Sequence, residues 1–323
     1  MFVLRVCYNA TFTQNLLKNE NNINKLINAK EFSTKMCSKD YDMDKFVRDC
    51  IYFIQDEFTK RGFKKAVLGL SGGIDSALVA TLATLALGKE HLCALLMPSL
   101  SSHHSHFDDA LFLAQHLDIN HRIIQLAPFQ EVFAKQEGMD LGGIHMNRLD
   151  NAQKQRMGNF CARMRMTLLY DCASADNALV LGTSNKSEIL LGYGTIFGDL
   201  ASAINPIGNL YKTQIFALSR ALELPECIIT KKPSADLFAN QSDETDLGYS
   251  YERIDKFLHA FTDCGGLESN TLKTQNNVKT HLAQAGFEQE MIESLSARIW
   301  KNTFKRAMPV IFMGDFTQDS YTI

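Results

Sequence analysis

The segment Gly69-Leu70-Ser71-Gly72-Gly73-Ile74-Asp75-Ser76 holds residue types at a spacing that can do chemistry. It lies between a short apolar run and a helical stretch. Free N–H groups and a helix dipole face an anion at such a turn. Two adjacent glycines let the backbone approach a phosphate without a Cβ in the way. Ser71 and Ser76 add hydroxyl donors. Asp75 would repel a bare phosphate, but it fits if a divalent cation lies between them. Three residues of this type would be read more simply as a helix cap. The full S-G-G-x-D-S after a strand points to phosphate binding. The segment lacks the G-K-[ST] of a Walker A loop and the G-x-G-x-x-G of a dinucleotide fingerprint.

A second group follows the apolar run at 178–182: Gly182-Thr183-Ser184-Asn185-Lys186-Ser187-Glu188. Glu188 is a candidate to share one divalent cation with Asp75. Then come Gly192-Tyr193-Gly194-Thr195-Ile196-Phe197-Gly198-Asp199, Lys212-Thr213, and Lys232-Pro233-Ser234-Ala235-Asp236-Leu237 with Gln241-Ser242-Asp243-Glu244. Singly, each has a plain alternative: Lys212 as a solvated lysine at a helix start, Arg163 as part of a surface face with Arg156 and Arg165. His103, His104 and His106 suit no common metal spacing and are read as a loop-to-helix entry near a bound nucleotide.

These segments need a scaffold. Residues 65–70, 91–98, 121–126 and 178–182 read as strands, alternating with helical stretches at 44–59, 75–87, 106–117 and 149–175. That alternation predicts βαβ units, a doubly wound parallel sheet flanked by helices. Ligands bind at the C-terminal ends of such strands, where both motifs fall. Beyond about 205 the pattern is helical at 211–223, 249–261, 275–285 and 288–302, interrupted by a loop at 231–247. The reading is a single α/β domain over 43–323 with a helical C-terminal part. Residues 1–42, with seven Asn within 9–28, read as a poorly structured extension.

Composition excludes several classes. The chain has 323 residues, 46% hydrophobic and 21% charged, as in a globular protein. A net charge of -3 argues against holding nucleic acid by bulk electrostatics. No apolar stretch is long enough to span a bilayer. The eight cysteines form no C-x-x-C pair, which argues against a disulfide framework or a zinc site and for reduced thiols in a cytoplasm.

In order as well as content, S-G-G-I-D-S, G-T-x-N-K-S-E, F-G-D, K-T and K-P-S-A-D-L with Q-S-D-E resemble the synthetase domain of the NAD synthetases. The resemblance runs from about Met43 to Pro309. It implies an adenine-nucleotide alpha-hydrolase-like fold with a pyrophosphatase loop. The implied reaction joins ammonia to the nicotinate carboxylate of deamido-NAD through an adenylated intermediate, releasing AMP and pyrophosphate. It also implies roles. Gly69, Leu70, Ser71, Gly72, Gly73, Ile74, Asp75 and Ser76 bind ATP phosphates, with Thr183, Lys212 and Ser234. Asp75 and Glu188 hold Mg²⁺. Asn159, Arg163, Tyr193 and Lys305 bind deamido-NAD, Lys305 from the other subunit of a homodimer. Asp199 is the candidate acid-base residue, expected to be buried, that strips a proton from ammonium.

The chain departs from the family pattern in places. Leu96-Met97-Pro98-Ser99 stands where some members carry adenine contacts, and Ile196 stands where many have a substrate-binding Lys. Glutamine-using relatives carry an additional amidohydrolase domain. The 42 residues ahead of the matched region are too few for one, so free ammonia is the expected donor. Two other classes remain open at this point: another pyrophosphatase-loop ligase, such as a GMP synthetase-like enzyme, and a non-catalytic nucleotide sensor.

Overall fold

A computed structural model describes residues 43–142, 148–233, 242–307 and 309–312. The proposed extension 1–42 and Ser234 lie outside the described residues. The chain divides into two compact units. The first comprises residues up to Ser187 together with Gly194–Asp255; the second comprises Glu188–Tyr193 and the residues from Lys256 onward.

The first unit is built on four parallel strands, β1 (Lys65–Gly69), β2 (Leu92–Leu96), β3 (Asn120–Ile123) and β4 (Ala178–Val180), in the order β3-β2-β1-β4. Neighbouring strand residues face opposite sides, and both sides are apolar. Ala66, Leu68, Ala94 and Leu96 enter one core with helices α1 (Met43–Arg61), α2 (Ile74–Leu87), α3 (His104–His116) and α7 (Lys212–Ala221). Val67, Leu95 and Val180 enter the other, with α4 (Ala127–Gln136) and α5 (Asn151–Asp176). Helices on both faces make the sheet doubly wound, as expected.

The chain steps outward from β1 to β2 to β3, then returns to place β4 on the other side of β1. The direction of winding therefore reverses between β1 and β4. At such a reversal the helices diverge and leave a crevice at the strand ends. The loop at 70–73 follows β1 and the G-T-S-N segment follows β4, so both motifs open into that crevice.

Local chemistry explains the elements. Helix α2 is apolar on nearly all sides and is buried accordingly; Gly88, at φ 86°, ends it. Asp150 and Gln153 form a reciprocal capping box at the start of α5, and Asn177, at φ 50°, ends that helix. Helix α4 was not anticipated. Pro128 in its first turn and buried Ala134 suit a short helix. The strand expected over 121–126 ends at Ile123, although Leu126 N–H still donates to the Pro98 carbonyl at 2.9 Å. The strand expected over 178–182 ends at Val180, and Leu181 bridges to Ile204.

Three helices dominate the second unit: the later part of α10 (Tyr251–Asp263), α11 (Leu272–Gln284) and α12 (Gln289–Lys301). Phe257 packs edge-on to Phe287 at 5.3 Å between centroids, and Trp300 donates its indole N–H to the Gly266 carbonyl at 2.9 Å. Met291, Ile292, Leu295 and Ile299 are buried within the chain itself. The apolar face of α12 therefore belongs to this core.

Candidate functional site

The loop after β1 is braced from within. Ser71 Oγ lies 3.0 Å from Ser76 Oγ and accepts from Gly73 N–H at 3.2 Å. Ser76 Oγ accepts from Ser71 N–H at 3.2 Å and donates to the Gly73 carbonyl at 3.1 Å. Gly72 has φ 77°, and a Cβ there would sit 2.1 Å from the His106 carbonyl oxygen. Only glycine satisfies both the left-handed backbone and that close approach. The histidine cluster is thereby explained: His103 caps α3, accepting from Ser105 N–H at 3.3 Å, and the His106 backbone abuts the loop.

Asp75 stands in the first turn of α2. Its Oδ1 accepts from Asn185 Nδ2 at 2.9 Å, and its Oδ2 pairs with Lys212 Nζ at 2.5 Å. The sequence thus places three of its motifs on one carboxylate: the loop, G-T-S-N-K-S and K-T. Lys212 is 2% exposed, and a buried ammonium needs a partner. A second carboxylate anchors the backbone at Lys212. Asp255 accepts from Ser187 Oγ at 2.5 Å and from Thr213 N–H at 2.8 Å, while Lys212 N–H donates to Ser187 Oγ at 3.0 Å. Burial pushes the Asp255 carboxyl above its usual range, against these hydrogen bonds, which lower it.

One further charged side chain reaches the loop, held by a buried carboxylate. Lys231 Nζ donates to the Gly72 carbonyl at 3.1 Å and pairs with the buried Asp109 at 2.6 Å. Sequence reasoning missed Lys231, Asp109 and Asn185 as site residues. Lys231 adjoins the K-P-S-A-D-L segment and Asn185 lies within G-T-S-N-K-S-E, so motif adjacency was the available signal. Asp109 carried no signal.

The candidate substrate residues fall in two places. In the first unit, Thr195 joins two of them: its Oγ1 donates to Asn159 Oδ1 at 2.8 Å, and its N–H donates to Asp199 Oδ1 at 2.5 Å. Asp199 is exposed, not buried as expected, because its carboxylate caps the turn at 195–199. Arg163 lies one turn beyond Asn159 on α5 and is exposed. Thr183 is half-buried at the end of β4. In the second unit, Lys305 Nζ donates to the Gly192 carbonyl at 2.8 Å, and the Arg298 guanidinium lies 5.4 Å from the centre of the Tyr193 ring. Glu188 belongs to this unit, and its carbonyl accepts from Tyr193 N–H at 2.9 Å.

The crevice therefore combines an internally braced glycine loop at a helix start, a carboxylate suited to a hard cation and a buried ammonium. The NAD synthase family model matches residues 46–309. The NH(3)-dependent NAD(+) synthetase of Helicobacter hepaticus is 71% identical over 83% of this chain and 98% of that protein. Two solved structures share the fold. The NH3-dependent NAD synthetase from Campylobacter jejuni, in complex with the nitrate ion, has a TM-score of 0.65 and 39% identity, covering 84% of this chain and 99% of that one. The NMN synthetase from Francisella tularensis has a TM-score of 0.69 and 30% identity, covering 85% of this chain and all (100%) of that one.

Proposed function

Because the chain belongs to the NAD synthase family, we propose that it is an ammonia-dependent ligase that converts deamido-NAD to NAD, the last step of NAD biosynthesis. ATP is the co-substrate. The nicotinate carboxylate oxygen attacks the α-phosphorus of ATP, and pyrophosphate leaves. Ammonia then attacks the acyl carbon, AMP leaves, and the nitrogen sheds a proton. The observation that carries this reading is the meeting of the braced loop, Asp75 and Lys212 in one crevice.

The residues divide the work. The N–H groups of 70–76 and the hydroxyls of Ser71 and Ser76 receive phosphate oxygens. Lys212 neutralises phosphate charge, where low surrounding dielectric makes an ammonium most effective. Thr183 and Ser234 contact ATP. Asn159, Arg163, Tyr193 and Lys305 hold deamido-NAD, and Asp199 accepts a proton from ammonium. Magnesium suits Asp75: the carboxylate offers hard oxygens and already has a cation, Lys212, at 2.5 Å. Asp75 and Glu188 would hold it, and it would supply charge neutralisation for the phosphates.

Assembly and location belong to the same proposal. Phe304, Val310, Ile311 and Phe312 are exposed around and after Lys305, and a second copy would cover such a run. A homodimer in which Lys305 serves the partner's site follows from that reading. No helix among the described residues is long and apolar enough to cross a membrane, and a cytoplasmic location fits the free thiols.

The test is an assay of the purified chain with ATP, Mg²⁺ and deamido-NAD, supplied with either ammonium or glutamine. NAD should form with ammonium, and the apparent affinity for total ammonium should improve as pH rises and the NH₃ fraction grows. Equal turnover with glutamine would overturn the ammonia assignment. Amidation of nicotinate mononucleotide in place of deamido-NAD would move the chain to the reaction named for the Francisella protein.

A further inference from the structure

At the N-terminal edge of the sheet, opposite the phosphate loop, a cavity of about 230 Å³ is lined by residues that include His91, Cys93, Asn120 and Asp176. Cys93 is in β2, on the side that faces α5. Cys172 and Asp176 lie at i and i+4 near the end of α5, and so share one helix face. The ligand atoms of Cys93, Cys172 and Asp176 all lie within 4.8 Å of one another.

The spacing is that of a coordination polyhedron. Cys172 Sγ and Asp176 Oδ2 are 3.5 Å apart. A tetrahedral ion with bonds of about 2.3 Å to sulfur and about 2.0 Å to oxygen separates those two atoms by about 3.5 Å. Charge closes as well. Two thiolates and a carboxylate around a dication leave one net negative charge, and Arg122 Nη1 donates to Cys172 Sγ at 3.2 Å to offset it.

We propose that Cys93, Cys172 and Asp176 bind a soft divalent transition metal, zinc(II), with a water as fourth ligand. Thiolate sulfur selects zinc over magnesium, so this site and the phosphate crevice take different metals. The bound ion ties the start of β2 to the end of α5. Burial pushes both thiols up, Cys93 to about 11. Each thiol therefore surrenders a proton to the solvent when its sulfur–metal bond forms, and affinity rises with pH. The absence of a C-x-x-C pair had argued against zinc. Here the ligands come from a strand and a helix far apart in sequence, which spacing rules do not reach.

The test uses the full chain, purified with reductant and stripped with chelator. Zinc is titrated against a chromophoric chelator, and cobalt(II) serves as a spectroscopic substitute. One equivalent of zinc should bind, with a thiolate-to-cobalt charge-transfer band. Cys172→Ser should abolish binding, Asp176→Asn should weaken it at least tenfold, and Cys50→Ser should leave it unchanged. Zinc should raise the Tm of the parent protein and not that of Cys172→Ser. The proposal falls if the parent and the Cys93→Ser/Cys172→Ser double variant titrate alike. It falls equally if cobalt binds without a thiolate band, or if the fully reduced chain takes up no zinc.

Discussion

The partners of the Asp75–Lys212 ion pair differ in burial: the Lys212 side chain is 2% exposed and that of Asp75 17%. Removing one partner of a buried pair leaves the other uncompensated. Asp75→Asn strands the more deeply buried charge and should cost about 3 kcal/mol of stability or more. Lys212→Met leaves a carboxylate that keeps Asn185 and some water, so it should cost less while still lowering turnover by about 100-fold. Chemical denaturation of both variants checks the order, and equal losses would contradict it. Asp255 sets a pH dependence. Its folded pKa is raised by burial, so the folded state holds the proton more tightly than the unfolded chain does. The stability this contributes is present at low pH and is lost as pH rises through the raised value. Relative to Asp255→Asn, the parent chain should therefore lose stability as pH climbs above the ordinary value of 3.8. Urea midpoints across a pH series measure this, and a gain with rising pH would refute it.

Among the elements, the turn between β1 and α2 is the least tolerant of change. Gly72→Ala meets both a positive φ and the His106 carbonyl at 2.1 Å. Gly62 has φ 73° with nothing within 4 Å of an added Cβ. Gly62→Ala should cost only the backbone term, about 1 kcal/mol, with normal kcat. Gly72→Ala should also displace α3 or the loop and raise the KM for ATP by an order of magnitude or more; matching kinetics in the two variants would refute the argument. This turn was legible in the sequence because its chemistry is local: strand, glycines, hydroxyls and carboxylate are contiguous. The alternation of strands and helices was legible for the same reason, as was the burial of α2, whose faces are nearly all apolar. Helix α4 escaped because Pro128 and a short, weakly patterned segment read as loop. The hold of Asn185 and Lys212 on Asp75, and of Lys231 on Gly72, depends on which strands become neighbours, a property of the β3-β2-β1-β4 order. Asp199 was assigned from motif position alone, and its exposure follows from a turn geometry that the motif does not encode.

For the whole molecule, the proposed homodimer makes a sharp demand. An Asp75→Asn chain and a Lys305→Ala chain should each be inactive alone. If Lys305 serves the partner's site, a mixed dimer has one site with both lesions and one with neither. Activity should return toward half of the parent value per mixed dimer once subunits exchange. Proven exchange with no recovery would place Lys305 in its own protomer's site or outside both. Light scattering gives the complementary reading: a monomer at assay concentration would remove the basis for the experiment. The proposed zinc ligands lie at the opposite edge of the sheet from the loop, so loss of zinc alone, with Mg²⁺ resupplied, should lower Tm without changing the dimer or its turnover.

The bond between Lys212 and Asp75 has a consequence for how ionic strength acts on the protein. The crevice carries its own counter-ion: the carboxylate that would receive a dication is already neutralised by an ammonium on the same unit. On the proposed roles, loading would be an exchange of ions, with the Lys212 ammonium passing from the Asp75 carboxylate to phosphate. Little net charge is drawn in from solution, and a chain with net charge -3 has no strong field to attract a nucleotide. Added salt should therefore leave the dissociation constant of the metal–nucleotide pair nearly flat, whereas Lys212→Met leaves the Asp75 carboxylate without its counter-ion, so its dissociation constant should change with salt as that charge is screened. Isothermal titration over a salt series, run on both chains, would reveal the exchange as a difference in slope.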